Sequence, residues 1–212
     1  MKQYDEIRCE VSEHILTITI DRPAKFNAYT EHMREEMISA LDEAYKDDDI
    51  RVIIFTGNPA GRNYCAGMDL GDAGSTFDYT KVDEMDHRDG GGQLCLKIYE
   101  SNKPIIGAIN GSAVGIGFTM TLPMDFRIVS NKAKLGAVFV RRGIVNDGCS
   151  SYFLPRLIGM ANAMYMVMTG KVIPATEADK LGLVTQLVDP EDVYPTARAL
   201  ALDLAKNTAP VS

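Results

Sequence analysis

The sequence predicts an α/β fold built around buried, parallel strands. Three observations point there. Short apolar runs without alternation stand at Val52–Gly57 and Ile105–Ile109, the pattern of strands covered on both faces. Segments with helical spacing separate the strand-like runs. The order that results is β-α-β-α-β, which calls for a parallel sheet with helices packed on it.

Taken in order, residues 7–20 are β-rich and end in the alternating run Ile15–Ile20, which Asp21-Arg22-Pro23 breaks. Thr30 can cap a helix, with Glu31 in its first turn. Met33, Met37, Ala40, Leu41 and Ala44 then recur at helical spacing, and Lys46-Asp47-Asp48-Asp49 closes that helix in water. After the Val52–Gly57 strand, residues 58–76 are rich in Gly, Asn and Asp and read as a loop. Residues 77–92 are polar and end in Asp89-Gly90-Gly91-Gly92, read as a flexible entry to a helix near 93–101. Lys103-Pro104 ends that helix, the Ile105–Ile109 strand follows, and Asn110-Gly111 turns the chain. Gly115-Ile116-Gly117 opens a helix that stops before Pro123, and residues 125–130 form a third strand. One helix is expected over 151–169, a short one near 176–180, and a strand over 183–188. Val193, Ala197, Leu200, Ala201 and Leu204 mark an amphipathic helix over 190–206.

Composition removes whole classes of function. The 212 residues are 46% hydrophobic and 24% charged, an ordinary globular balance for one domain, and no linker precedes residue 189. The net charge of −7 argues against a phosphate-backbone surface, so no nucleic-acid partner is expected; one anionic small ligand held by a local basic group is still allowed. Cys9, Cys65, Cys95 and Cys149 form no CxxC, and with His14, His32 and His87 they make no metal-ligand spacing. Free thiols in a reducing compartment, no metal and a cytoplasmic location are the expectation. The N-terminus is polar, without a signal peptide, and the apolar stretches are too short and too broken to span a bilayer.

Two glycine-rich turns carry the chemical interest. Tyr64-Cys65-Ala66-Gly67-Met68-Asp69-Leu70 follows the first buried strand, and Asn110-Gly111-Ser112-Ala113-Val114-Gly115-Ile116-Gly117 follows the second. Open α/β sheets bind ligands at the carboxyl ends of their strands. Glycine lets backbone approach a ligand and leaves amide N–H groups free to point at it. A helix beginning near Gly117 would add a positive dipole end. Two converging N–H donors are what an oxyanion hole requires. A plain tight turn after a strand is the alternative at both places. The second turn lacks GxGxxG, and neither GxxxxGK[ST] nor GxSxG occurs, which disfavours a dinucleotide fold, a P-loop and a triad hydrolase.

The two turns, together with Asp21–Ala28, Lys103-Pro104, Met124–Ser130, Gly143–Leu157 and Ala178–Val188, resemble the crotonase (enoyl-CoA hydratase/isomerase) superfamily in one order over most of residues 10–189. The resemblance implies a spiral of ββα units with helices outside. It also implies trimers or dimers of trimers closed by C-terminal helices. On that pattern residues 1–189 form the acyl-CoA-binding core and 190–212 the start of an incomplete C-terminal helical region. The implied substrate is an acyl-CoA thioester, with no separate cofactor. Its carbonyl would sit between the backbone amides of Ala66 and Ile116, which stabilise the enolate oxyanion as it forms. The family often has glycine at position 116; isoleucine still offers the N–H but narrows the pocket. Ala24, Lys25, Phe26, Gly67, Met68, Asp69, Leu70, Gly115, Gly117, Thr119 and Phe139 are the implied substrate-binding positions, with Lys25 the basic group for the CoA phosphates.

The family's hydratases carry two glutamates, which would fall at Thr119 and Phe139 here. Neither residue can act as a base near neutral pH, which disfavours hydration by that route. A carboxylate follows at Asp147, in a segment similar to the Δ3,Δ2-enoyl-CoA isomerase branch, where a glutamate shuttles a proton between C2 and C4. Aspartate is one methylene shorter. An apolar pocket would raise its pKa and suit it as base, then acid. Capping of the following helix is the alternative for Asp147. Asp69 is expected to order its own loop, His87 and the Arg141-Arg142 pair to be solvated, and Cys65 to be a packing residue. Double-bond isomerisation is the expected reaction. Hydration, thioester hydrolysis and a non-catalytic acyl-CoA or protein-binding module are the alternatives.

Overall fold

A computed structural model describes residues 2–72 and 89–207. Ten strands form two sheets. The larger contains β1 (Ile7–Ser12), β2 (Ile15–Ile20), β3 (Val52–Gly57), β5 (Ile105–Ile109), β7 (Phe126–Ser130) and β10 (Gln186–Val188), in that spatial order. Only β1 and β2 run antiparallel in it; every other neighbouring pair is parallel. The smaller sheet contains β4 (Asn63–Cys65), β6 (Ser112–Val114), β8 (Lys134–Gly136) and β9 (Ile173–Pro174). The helices are α1 (Glu31–Lys46), α2 (Gly90–Tyr99), α3 (Ile116–Thr119), α4 (Ser150–Ile158), α5 (Met160–Thr169), α6 (Ala175–Lys180) and α7 (Val193–Asn207).

The α/β class is as expected, and the apolar runs behave as predicted: every residue of β2, β3 and β5 is buried. One face of the large sheet carries the main core, with Met33, Met37 and Leu41 of α1 packed on Leu16, Ile18 and Ile53. The other face is covered by α7, whose Val193, Ala197, Ala201 and Ala205 lie on Ile15, Val52, Ile54, Ile106 and Ile128. Thr30 caps α1 as predicted, its hydroxyl oxygen accepting from Met33 N at 3.0 Å.

Three local expectations change. Residues 7–20 are a hairpin whose two-residue turn, Glu13-His14, has φ of 52° and 65°. Both residues are left-handed, the geometry of a type I′ turn, but without the Asn-Gly signal that usually marks it. The helix expected over 151–169 is two helices, because Gly159 at φ 77°, ψ 155° cannot continue a helix. The three glycines expected as a flexible entry are the first turn of α2, capped by Asp89.

Asn27 shows how the site's outer edge is fastened. It is fully buried with φ 56°, and its Nδ2 donates to Asn58 O (2.9 Å) and Asn63 O (2.8 Å). Asn27→Ala leaves two carbonyls without donors and puts a strained residue in the left-handed region. We expect a loss of about 2–4 kcal/mol, read as a fall in Tm of about 10 °C by thermal denaturation. A change under about 2 °C would contradict this account.

Candidate functional site

Strands β4 and β6 pair in parallel, so their carboxyl ends lie side by side and deliver the two glycine turns to one place. The turns touch backbone to backbone. A Cβ on Gly67, which has φ 95°, would lie 2.9 Å from Val114 O, and one on Gly115 3.9 Å from Gly67 Cα. A Cβ on Gly117 would lie 2.5 Å from Cys65 O. Glycine is therefore required by approach at 67 and 117, not merely tolerated. Ile116 is the first residue of α3, so its N–H has no acceptor within that turn. Ala66, immediately after β4, is exposed on the same cleft. The helix expected from Gly117 to Pro123 is one turn only, so any electrostatic benefit comes from individual N–H groups rather than from a long helix dipole.

Around these amides is a cleft of about 160 Å3. Its walls are apolar, including Met68, Leu70, Val138, Phe139 and Ile144, and among the described residues its two charged ones are Asp147 and Arg142. A cavity of ~150 Å3 accepts a benzene-sized group, so the described part of this cleft has room for a group of about that size.

Of the two roles the sequence left open for Asp147, helix capping by its side chain is not seen: the cap residue of α4 is Cys149, with no side-chain bond. It is the Asp147 carbonyl that accepts from Ser150 N (3.1 Å) and Ser150 Oγ (2.7 Å). The carboxyl faces the cleft, and its Oδ1 is buried without a hydrogen-bond partner. Burial, and then the nearby Asp89 carboxylate, push it up to about 7. Thr119 is itself fully buried behind the cleft wall, its Oγ1 unpaired and pressed by Gly148, where a Cβ would lie 2.5 Å away. Phe139 lines the cleft, so neither position expected for a hydratase glutamate holds a carboxylate.

Asp89 and Gly148 were not singled out in the sequence, yet they seat Asp147. Asp89 Oδ2 accepts from Gly92 N at 2.6 Å and from Gly148 N at 3.3 Å, clamping the Asp147 segment to the start of α2. The signal for this was Asp-Gly-Gly-Gly, legible as a cap before a tightly packed helix. Tyr29 was also missed. It is fully buried, its hydroxyl has no partner, and its backbone is sewn to the first glycine turn (Tyr29 N to Gly67 O, 2.9 Å; Asp69 N to Tyr29 O, 2.7 Å).

Other expected residues fall into place unevenly. Asp69 orders its loop, as expected: Oδ1 accepts from Gly71 N at 3.0 Å and Oδ2 pairs with Arg22 at 3.0 Å, which together lower its pKa. Ala24, Lys25 and Phe26 are exposed on the short turn at Pro23–Lys25, tied to the cleft edge through Arg22 but not lining it. Gly117 packs under the cleft against Cys65. Cys65 is buried with its thiol pushed up to about 11, an unreactive packing residue. The arginine pair divides: a Cβ on Gly170 would meet Arg141 Cγ at 2.9 Å, whereas Arg142 lines the cleft. His87 lies outside the described residues. The ligand atoms of Asp5, His32 and Glu36 lie within 4.8 Å of one another, away from the cleft. Glu36 there is already engaged, accepting from Asp5 N (2.7 Å) and Glu6 N (2.9 Å). Among the described residues, no helix is long and apolar enough to cross a membrane.

A family profile described as enoyl-CoA hydratase/isomerase matches residues 10–211. An enoyl-CoA hydratase of Alternaria alternata is 42% identical over 205 residues, covering 94% of this chain and 66% of the relative. The chain thus spans slightly less than two thirds of that relative's length. The 1,2-epoxyphenylacetyl-CoA isomerase of Escherichia coli is 33% identical, over 94% of this chain and 76% of that one. The crystal structure of a putative enoyl-CoA hydratase from Streptomyces coelicolor superimposes with a TM-score of 0.90 at 29% identity, covering 99% of this chain and 76% of that one.

Proposed function

The chain belongs to the enoyl-CoA hydratase/isomerase (crotonase) family, and from that premise we propose that it moves the double bond of an enoyl-CoA thioester. The observation that carries the reading is the one carboxylate among the described cleft residues, half-buried Asp147, pushed up to about 7 beside two converging glycine turns. In this mechanism the thioester oxygen lies between the Ala66 and Ile116 amides. Asp147 takes the C2 proton of a 3-enoyl-CoA, and the C–H electron pair moves onto the thioester as an enolate. The enolate then collapses, the C3–C4 π pair takes the proton back from Asp147 at C4, and the double bond rests between C2 and C3. A carboxyl near 7 serves both halves, since it gains and loses a proton at similar cost near neutral pH. One oxyanion donor is typically worth ~3 kcal/mol in such a step. Coenzyme A arrives as part of the substrate, and no further cofactor enters this scheme. Assembly as a trimer or hexamer is part of the proposal, favoured by the apolar stripe that α5 exposes at Met160, Met164, Tyr165 and Met168. So is a cytoplasmic location, which the four free cysteines suit.

Hydration, with Asp147 activating water, is the second reading; the name of the Alternaria relative favours it. Supplying 2-enoyl-CoA and 3-enoyl-CoA separately tells them apart. Isomerisation converts the 3-enoyl thioester with a gain of conjugated-enoyl absorbance. Hydration instead removes that absorbance from the 2-enoyl thioester, and hydrolysis releases free CoA. The pH dependence follows from the same carboxyl. Asp147 must start ionised, so kcat/KM should rise through about pH 7 and level off above it. A flat profile from about pH 5 to 9 would remove Asp147 from the base role.

A further inference from the structure

Among the described residues Arg142 is the one cation lining the cleft, and nothing in the isomerisation scheme uses it. Its position is built: it ends the short helical turn at Phe139–Arg142, which Gly143 closes at φ 68°. That tight turn sends Arg141 toward Gly170 and Arg142 toward the cleft. Among the described residues Arg142 makes no ion pair, although Asp147 lines the same small cleft. Nor does Arg142 figure among the charges acting on the Asp147 carboxyl, where Asp89 does. Both charged groups line the cleft without pairing, so each is left to face what enters it.

Resting on the reading of this cleft as an acyl-CoA site, we infer that Arg142 receives an anionic group at the far end of the acyl chain, so that the substrate class is short enoyl-CoA thioesters carrying a second carboxylate. A guanidinium offers a carboxylate two parallel N–H donors, a geometry that a neutral methyl end cannot use. The cleft's volume of about 160 Å3 fits a chain of a few carbons between the thioester and that group. Because Arg142 is exposed, the anion keeps part of its hydration, and the gain is that of a charge-assisted bond at a wet rim.

The test is calorimetric binding of two unreactive thioesters of equal chain length, glutaryl-CoA and pentanoyl-CoA, to the full chain. The unmodified protein should bind glutaryl-CoA about tenfold more tightly. Arg142→Gln should erase that preference while leaving pentanoyl-CoA affinity and Tm unchanged; Arg142→Lys, which keeps the charge, should retain part of it. Equal affinity of the unmodified protein for both thioesters would overturn the inference and leave the isomerase reading standing. A loss in Arg142→Gln that is equal for both would place the guanidinium on a CoA phosphate instead, and would also overturn it. Failure of both thioesters to bind would remove the acyl-CoA reading itself and this inference with it.

Discussion

Replacing Asp147 with asparagine should lower kcat for enoyl-CoA isomerisation by about 10³-fold, within the range that a positioned acid–base group contributes. The amide is nearly isosteric and cannot shuttle a proton, so substrate affinity should change little. Turnover within about threefold of the unmodified enzyme would end the assignment. The same variant should be more stable, and in a pH-dependent way. Burial pushes the folded carboxyl up to about 7, from an ordinary value of 3.8. An acid with a raised folded pKa costs nothing while both states are protonated. The cost accumulates once the unfolded chain ionises, from about pH 4 up to about pH 7, and stays constant above that. The full penalty is on the order of 4 kcal/mol at most. Asp147→Asn should therefore raise Tm at pH 8 and leave it nearly unchanged at pH 4. An equal gain at both values would mean that the extra stability does not come from titration of this group.

Gly67→Ala is the second large effect. Residue 67 has φ 95°, and its added methyl would lie 2.9 Å from the Val114 carbonyl oxygen. The strain costs about 1–3 kcal/mol of stability. More importantly, it moves the Ala66 amide relative to Ile116, and loss of one well-placed donor lowers kcat by about 10²–10³-fold. The expected signature is a fall in kcat far larger than the stability change explains, measured well below the variant's Tm. A variant with normal kcat would show that the two turns do not act on the reacting oxygen.

Much of this was readable in the sequence. The β3 and β5 runs are apolar without alternation, and burial on both faces leaves a strand no other pattern. The Thr30 cap and the apolar stripe of α1 are local, so spacing alone reveals them. The two glycine turns stood out by their place after buried strands, though a plain tight turn stayed open until their backbones were seen to meet. What resisted reading depends on through-space neighbours. That the Asp147 side chain does not cap the next helix shows only in the fold, where Cys149 occupies the cap position. Arg141 and Arg142 are adjacent in sequence and part company only because of the tight turn that carries them. The Glu13-His14 hairpin used residues that rarely take left-handed geometry. Gly90-Gly91-Gly92 looked like slack because glycine weakens a helix, by about 1 kcal/mol each relative to alanine.

That last run has a consequence for how the catalytic parts stay in register. A Cβ on Gly91 would lie 2.7 Å from Ile116 Cδ1 and 3.5 Å from Asp147 Cγ. The first turn of α2 is thus a spacer of bare backbone, wedged between Ile116 of the second glycine turn and the Asp147 carboxyl. A single methyl there would act as a shim and push Ile116 and Asp147 apart. The helix start is thin at the cost of its own local stability, and that thinness is what lets the two segments close on each other across it.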